Sequence, residues 1–386
     1  MVVIYSVGVP FNYSGLGNTA YHAALGLYRE GILTHILTPD FRECEIPKEK
    51  FSTFPLRKIT SKGHARIRNY TIKDNLFDLW ASRKIQDFGK INVFYGWSHH
   101  SLISMRIAHK KGAITFIDRQ SAEIRFQREI MGREFKKVGV SVDFISSRNI
   151  KKTVSEANET DFVVVPSTFV RNTFIDVGYP EEKILLNPLG VDLERFVPKN
   201  DGFEDDIFRV IFMGILSVQK GVHYLIRAWK KLDIPKAELL LVGGFDRLSR
   251  EVILNEAKNG KNVIFGGGTA TPEREFMRSN IFAFPSNQDG FGSVVLEAMA
   301  CGLPVIVSQN TGAKDCVRDG LEGFVIPTAD VDALCDRINY FYKNRDKVEE
   351  MGRRAREQAL KYDWESYRKR LAGSVAHIVT CGLSEK

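Results

Sequence analysis

Pro285-Ser-Asn-Gln-Asp-Gly-Phe-Gly-Ser-Val-Val-Leu-Glu-Ala-Met-Ala-Cys-Gly-Leu-Pro304 is the stretch whose reading decides the fold of this chain. The apolar run Ile281–Phe284 ahead of it predicts a strand, and the polar, glycine-broken segment after that strand predicts a loop. A helix rich in Leu, Ala and Met follows, stops at Gly302, and gives way to a strand at Val305–Val307. A strand, a glycine loop and a helix N-terminus make an anion site, because free backbone N–H groups and the helix dipole both face the ligand. Two carboxylates, Asp289 and Glu297, flank the helix start. Two nearby acids repel a bare phosphate, so the pattern suits a ligand with hydroxyls beside its phosphates, such as a nucleotide sugar.

The surrounding rhythm places this unit in an α/β chain. Val2–Val7 is nearly all apolar, as a buried parallel strand should be. The loop Gly8–Gly17 and a helix Asn18–Glu30 follow, then strands at Leu33–Leu37, Ile91–Tyr95, Ile114–Ile117, Phe162–Val165 and Lys183–Leu186. Helices are expected at His99–Lys111, Ser121–Lys137 and Thr168–Val177, and residues 40–75 show weak periodicity. The polar, Pro- and Gly-bearing segment Arg195–Asp206 reads as a linker. A second series begins with strand Arg209–Met213 and helix Gly221–Leu232, and runs through Gly323–Ile326 to three C-terminal helical segments. Strands alternating with helices mean parallel, doubly wound sheets. Two of them joined by a linker leave a cleft between the carboxyl ends of facing strands, where such folds bind ligands. The expected division is 1–195 and 207–362, with a last helix at 363–386 returning to the first part.

Composition is that of an ordinary globular protein of 386 residues, long enough for two or three domains. No run approaches the roughly 18 apolar residues that span a bilayer. The start reads as a first strand, not a signal peptide. Five scattered Cys with no CxxC read as reduced thiols, which suits a cytoplasmic chain. The net charge of +8 is uneven: residues 57–152 hold 21 Lys+Arg against 8 Asp+Glu. That excess suggests attraction to an anionic surface, such as acidic lipid at the inner membrane face, an acidic glycan or nucleic acid. A solvated surface without a partner gives the same count.

Gly214-Ile-Leu-Ser-Val-Gln-Lys220-Gly221 resembles a "GRLxxxKG" signature, Pro285–Ile306 resembles "PSxxEGFGxxxLEAMAxGxPVI", and Asn187-Pro-Leu-Gly-Val-Asp192 resembles an "NGVD" turn. In that order and spacing they resemble family 4 of the retaining nucleotide-sugar glycosyltransferases. The resemblance implies the GT-B fold, with two Rossmann-like doubly wound domains facing a central cleft. Lys220 opens a helix, so its ammonium reaches an anion held there, while an idle cation at that end would oppose the dipole. The family usually adds an Arg where this chain has Ile215; Arg119, after the strand Ile114–Ile117, is the expected substitute. The resemblance makes Asp289 the acid near the transferred sugar, one methylene shorter than the usual Glu, and Glu297 the acceptor of the ribose hydroxyls. Gly290, Phe291, Gly292 and Ser293 belong to the same donor loop, and Gly214 precedes Lys220. Gly15 and Gly17 are expected to face the donor's phosphates or sugar, and Gly266 and Gly267 its base. Ser98 is the expected helix cap, with His99 or His100 at the cleft. The family's other histidine in this half is absent, and Asp118-Arg119 occupies its region. Asp330-Val-Asp332 looks like a metal-binding DxD but sits where a helix cap belongs.

The expected activity is transfer of a sugar from a UDP- or GDP-type donor to a hydroxyl on a glycan, lipid-linked saccharide or glycolipid. It needs neither cofactor nor metal, since Lys220 and helix dipoles can carry the leaving-group charge. Contact with an anionic membrane would run through the basic first half, with no specific nucleic acid. Two other readings stay open: a catalytically impaired sugar-nucleotide binder, because of Ile215 and Asp289, and a basic nucleic-acid-binding protein. A dinucleotide oxidoreductase would want GxGxxG after the first strand, and Gly8–Gly17 does not supply it.

Overall fold

A computed structural model describes residues 1–55, 70–198 and 206–384. Most of the linker, and residues 57–69 of the basic stretch, lie outside the described residues. Among the described residues the strands form two parallel sheets. One contains β1 (Val3–Ser6), β2 (His35–Thr38), β3 (Phe51–Thr53), β4 (Val93–Trp97), β5 (Ile114–Asp118), β6 (Phe162–Val165) and β7 (Ile184–Leu186), in the order 3-2-1-4-5-6-7. The other contains β8 (Phe208–Met213), β9 (Ala237–Val242), β10 (Val263–Gly267), β11 (Ile281–Phe284), β12 (Val305–Ser308) and β13 (Gly323–Ile326), in the order 10-9-8-11-12-13. These are two Rossmann-like units. Their strands are apolar on both faces because helices cover both: β1, β8, β11 and β12 are buried throughout. The strand order reverses between β1 and β4 and between β8 and β11, and open parallel sheets bind ligands at the carboxyl side of such switch points.

Three elements were not read from the sequence. Helix Tyr70–Gln86 has apolar residues all round: Phe77, Ala81 and Ile85 are buried while Ile72, Leu76 and Leu79 are exposed, so no single stripe marks it. Helix Ser147–Glu159 buries Thr153 and Glu156 in place of an apolar stripe. Strand β3 has three residues at a sheet edge.

The helix after β4 spans Leu102–Lys110, three residues later than expected at its start, and Ser101 rather than Ser98 stands at its N-cap. His99 takes a left-handed φ of 77°, and the buried Glu156 carboxylate accepts the backbone N–H groups of His99 (2.6 Å) and Ser101 (3.0 Å), closing the loop before the helix begins. Asp330 caps its helix by accepting from the Ala333 N–H at 2.9 Å, and Asp332 pairs with Lys231. Among the described residues no helix is long and apolar enough to cross a membrane.

The final helix, Trp364–Ser384, packs on helix Leu16–Arg29 of the first half. Trp364 stacks on His22 with ring centroids 4.0 Å apart, and Val191 pairs with Asp363. The two helices approach so closely at Gly26 that a Cβ there would lie 2.8 Å from the Arg368 carbonyl oxygen. Gly26→Ala is therefore expected to cost about 1–3 kcal/mol. Thermal or denaturant unfolding would measure it, and an unchanged midpoint would show that this approach is not needed.

Candidate functional site

Two loops at the carboxyl end of the second sheet build the charged part of the site. After β8, residues 214–221 turn back over the sheet; after β11, residues 285–292 do the same. Asn287 donates its backbone N–H to the Gln219 carbonyl (2.8 Å) and its side-chain amide to the Val218 carbonyl (2.7 Å), joining the two loops. Gly221, with φ 68°, lies so close to Pro285 that a Cβ would sit 2.0 Å from its carbonyl oxygen. This seating directs Lys220 onto Asp289, and the two form an ion pair. The other Asp289 oxygen accepts the Phe291 N–H at 3.2 Å.

Gly292, with φ 82°, opens helix Ser293–Ala300 without a side-chain cap, so the first N–H groups of that helix are left for a ligand. One turn on, Glu297 is half-buried and lines a cavity of about 1330 Å³. Among the described residues its carboxylate has no hydrogen-bonding or ion-pair partner. Burial pushes its pKa up to about 7, against the attraction of Arg195 and with the help of nearby Glu273.

That cavity lies between the two halves of the chain. Gly214, Ser293, Val294, Glu297, Gly268 and Thr269 form one wall, and Tyr13, Gly15, Asn18, His22 and Arg42 face them. It shares Gly15, Gly214 and Ser293 with a second cavity of about 580 Å³ that holds Lys220, Asp289, Gly290, Phe291 and Gly292. Gln120, Ser121, Phe135 and Phe144 supply the first-half wall of this second space. The two cavities are thus adjoining parts of one cleft.

Not every residue singled out from the sequence reaches it. Arg119 is 3 % exposed, and its guanidinium donates to the Ala122 carbonyl, the Gln127 side chain, Ser98 and His99. It is used up inside the first half and does not replace a cation at Ile215, which is 60 % exposed beside Lys220. His99 lines neither cavity. Its Nε2 accepts from Arg119 at 2.7 Å, its Nδ1 faces the Thr153 hydroxyl at 3.0 Å, and burial with the Arg119 charge holds its pKa well below the usual value. Gly17 turns inward, where a Cβ would meet the Pro10 carbonyl oxygen at 2.3 Å. Gly266 and Gly267 remain in β10: Gly267 pairs with Val242 and accepts the Gly243 N–H at 2.7 Å, so Gly268 and Thr269 line the cavity instead.

Arg42, Tyr13 and Gln120 were missed. Arg42 stacks on the Tyr13 ring 4.1 Å from its centroid, and all three follow strand ends, the one signal that could have found them.

Two family models match the chain in tandem: "Glycosyltransferase Family 4" over residues 13–195 and "Glycosyl transferases group 1" over residues 194–358. A GDP-mannose-dependent alpha-(1-6)-phosphatidylinositol monomannoside mannosyltransferase of Mycolicibacterium smegmatis is 30% identical over 237 residues, which cover 56% of this chain and 62% of that one. Sulfoquinovosyl transferase SQD2 of Arabidopsis thaliana is 29% identical over 220 residues, 53% of this chain and 42% of that one. The chain thus spans less than two thirds of the length of these curated relatives. Among solved structures, Anabaena Alr3699/HepE in complex with UDP superposes with a TM-score of 0.72 at 16% identity, covering 98% of this chain and all of that one. The likeness extends the fold assignment to GT-B.

The half-buried Glu297 carboxyl carries a testable cost. Its folded pKa, about 7, lies above its ordinary 4.5, so the penalty for ionising it in place is absent below about pH 4.5 and complete above about pH 7. Glu297→Gln is expected to raise the melting temperature of the ligand-free protein at pH 8 by on the order of 2–4 °C. The gain should vanish at pH 4.5; an equal gain at both values would mean that ionisation is not its source.

Proposed function

Because the chain belongs to the family 4 glycosyltransferases, we propose that it moves a hexose from a nucleoside-diphosphate sugar to an acceptor hydroxyl, with retention at the anomeric carbon. The observation that carries this reading is Glu297: a half-buried carboxyl with no hydrogen-bonding or ion-pair partner among the described residues, one turn into a helix whose bare N-terminus lies in the adjoining part of the cleft with Lys220. A buried carboxylate without a partner is costly. Two ribose hydroxyls would satisfy it, while the diphosphate lies against the free N–H groups of Ser293 and its neighbours.

In the proposed reaction the acceptor oxygen forms a bond to the anomeric carbon as the bond from that carbon to the diphosphate oxygen breaks. The nucleoside diphosphate leaves with the electron pair, and the acceptor's proton passes to one of its oxygens. The barrier lies in charge that builds on the departing diphosphate, so Lys220 and the helix N-terminus are the principal stabilising groups. No metal is required in this scheme. Asp289 exchanges its partner, from Lys220 in the free protein to a hydroxyl of the transferred sugar.

A UDP- or GDP-type donor fits the cavity beside Gly268 and Thr269, in keeping with the UDP of the Anabaena complex and the GDP-mannose of the mycobacterial relative. The relatives' acceptors point to a glycan or glycolipid here too, met at the cytoplasmic face of a membrane by the basic first half. A binder without turnover is the second reading, favoured by Ile215 beside Lys220.

A thermal-shift panel of nucleoside diphosphates and nucleotide sugars, followed by product analysis with the stabilising donor, separates the two. Stabilisation with turnover is expected. Lys220→Ala should then lower kcat about 10²–10³-fold. Stabilisation without any product from the wild type would establish the binder.

A further inference from the structure

The cleft wall opposite Lys220 and Asp289 carries a polar group that the scheme above does not use. β5 ends at Asp118, which is 1 % exposed. One Asp118 oxygen accepts the Tyr95 hydroxyl at 2.8 Å, and the other accepts the Gln120 side-chain amide at 2.6 Å. Tyr5, stacked on Tyr95 at 5.2 Å, and Tyr367 of the last helix close the surroundings of this carboxyl. Burial pushes Asp118 up to about 6, while the two hydrogen bonds resist. Both of its oxygens already accept, from the Tyr95 hydroxyl and the Gln120 amide, which is the pattern of a carboxylate that can only accept.

An accept-only partner fixes the Gln120 amide: the NH₂ must face Asp118, and the oxygen must face away. That oxygen has no partner among the described residues and is not among the buried unpaired atoms. Gln120 lines the same cavity as Lys220, Asp289 and Gly292. Its backbone carbonyl also touches the donor loop, since a Cβ on Gly290 would lie 2.1 Å from it. A hydroxyl held at the Gln120 side chain therefore stands next to the loop that carries Asp289. Phe135, Phe144 and Leu16 give the same space an apolar rim suited to the faces of a sugar ring.

We propose that Gln120 is an acceptor-binding residue, its amide oxygen receiving the hydrogen bond of the attacking hydroxyl, and that Asp118 is the positioning residue that turns that oxygen toward the cleft. An amide does not take the proton: it aims the hydroxyl oxygen at the anomeric carbon, and the proton still leaves on the diphosphate. The inference rests on the glycosyl-transfer reading and adds the side of the cleft from which the acceptor enters.

The test uses the full chain, the donor found by the thermal-shift panel, and octyl β-D-glucopyranoside as acceptor with water as the competing one. Gln120→Ala should raise the KM for the glucoside about tenfold and shift product toward hydrolysis, with the donor's KM and thermal shift unchanged. Asp118→Asn, able to donate as well as accept, lets the amide turn over and should reproduce the acceptor defect while Gln120 is still present. An unchanged acceptor KM and product ratio in Gln120→Ala overturns the proposal, as does a defect confined to the donor's KM. If Asp118→Asn fails to fold, Gln120→Ala decides alone. A wild type that consumes no donor in either channel overturns the transfer reading itself, and this inference with it.

Discussion

The contact between Gly221 and the Pro285 carbonyl is the constraint on which the charged half of the cleft depends. It exists because two loops leave adjacent strands, β8 and β11, at the point where the sheet order reverses. With no side chain at 221 the loops close to hydrogen-bonding distance, and Lys220 comes over Asp289. A Cβ at 221 would drive them apart. It would also be strained by the left-handed φ of 68°, which an L side chain adopts only at a cost. Lys220, Asp289 and the bare N-terminus of helix Ser293–Ala300 are thus one unit, set by backbone packing rather than by the charges themselves.

The electrostatics of the free cleft follow from that unit. Lys220 and Asp289 offset each other in the ligand-free site. Glu297, a turn further in, has no such partner among the described residues, and burial raises its pKa. The site is therefore frustrated at one position and balanced at another, which is the arrangement a binding cleft needs. In the proposed reaction, hydroxyls would relieve the first position and phosphates drawn to Lys220 would release Asp289 at the second.

Much of this was legible because it depends on short-range chemistry. Asp289-Gly-Phe-Gly292, the helix after it and Lys220-Gly221 announce themselves by residue type at fixed spacing, and the two-sheet architecture follows from the strand–helix rhythm. Helices Tyr70–Gln86 and Ser147–Glu159 were not legible, since one has no single apolar stripe and the other is anchored by the buried Glu156 and Thr153. Arg119 and His99 line neither cavity for a related reason. Both lie just past strand ends, where a ligand contact is expected, but Arg119 is consumed by Ala122, Gln127 and His99, partners that only the folded loop brings together. Gly17, Gly266 and Gly267 read as ligand-facing glycines, yet Gly17 packs against its own loop and Gly266 and Gly267 stay within β10.

Ile215 joins these observations. An arginine there would sit in the open beside Lys220, with a second cation already facing the diphosphate. With Ile215 in its place, Lys220 is the cation that lies at the donor loop, and Asp289 holds it in the absence of ligand. In the proposed reaction, binding of the diphosphate and release of Asp289 toward the sugar would be a single exchange, because the two groups are paired in the free protein. A nucleoside diphosphate alone would leave the freed Asp289 oxygen to water, whereas the complete nucleotide sugar of the proposed reaction would supply both a phosphate and a hydroxyl. In the proposed reaction that exchange would favour the whole donor over its spent product, and Ile215 would leave less positive charge to stabilise the transition state.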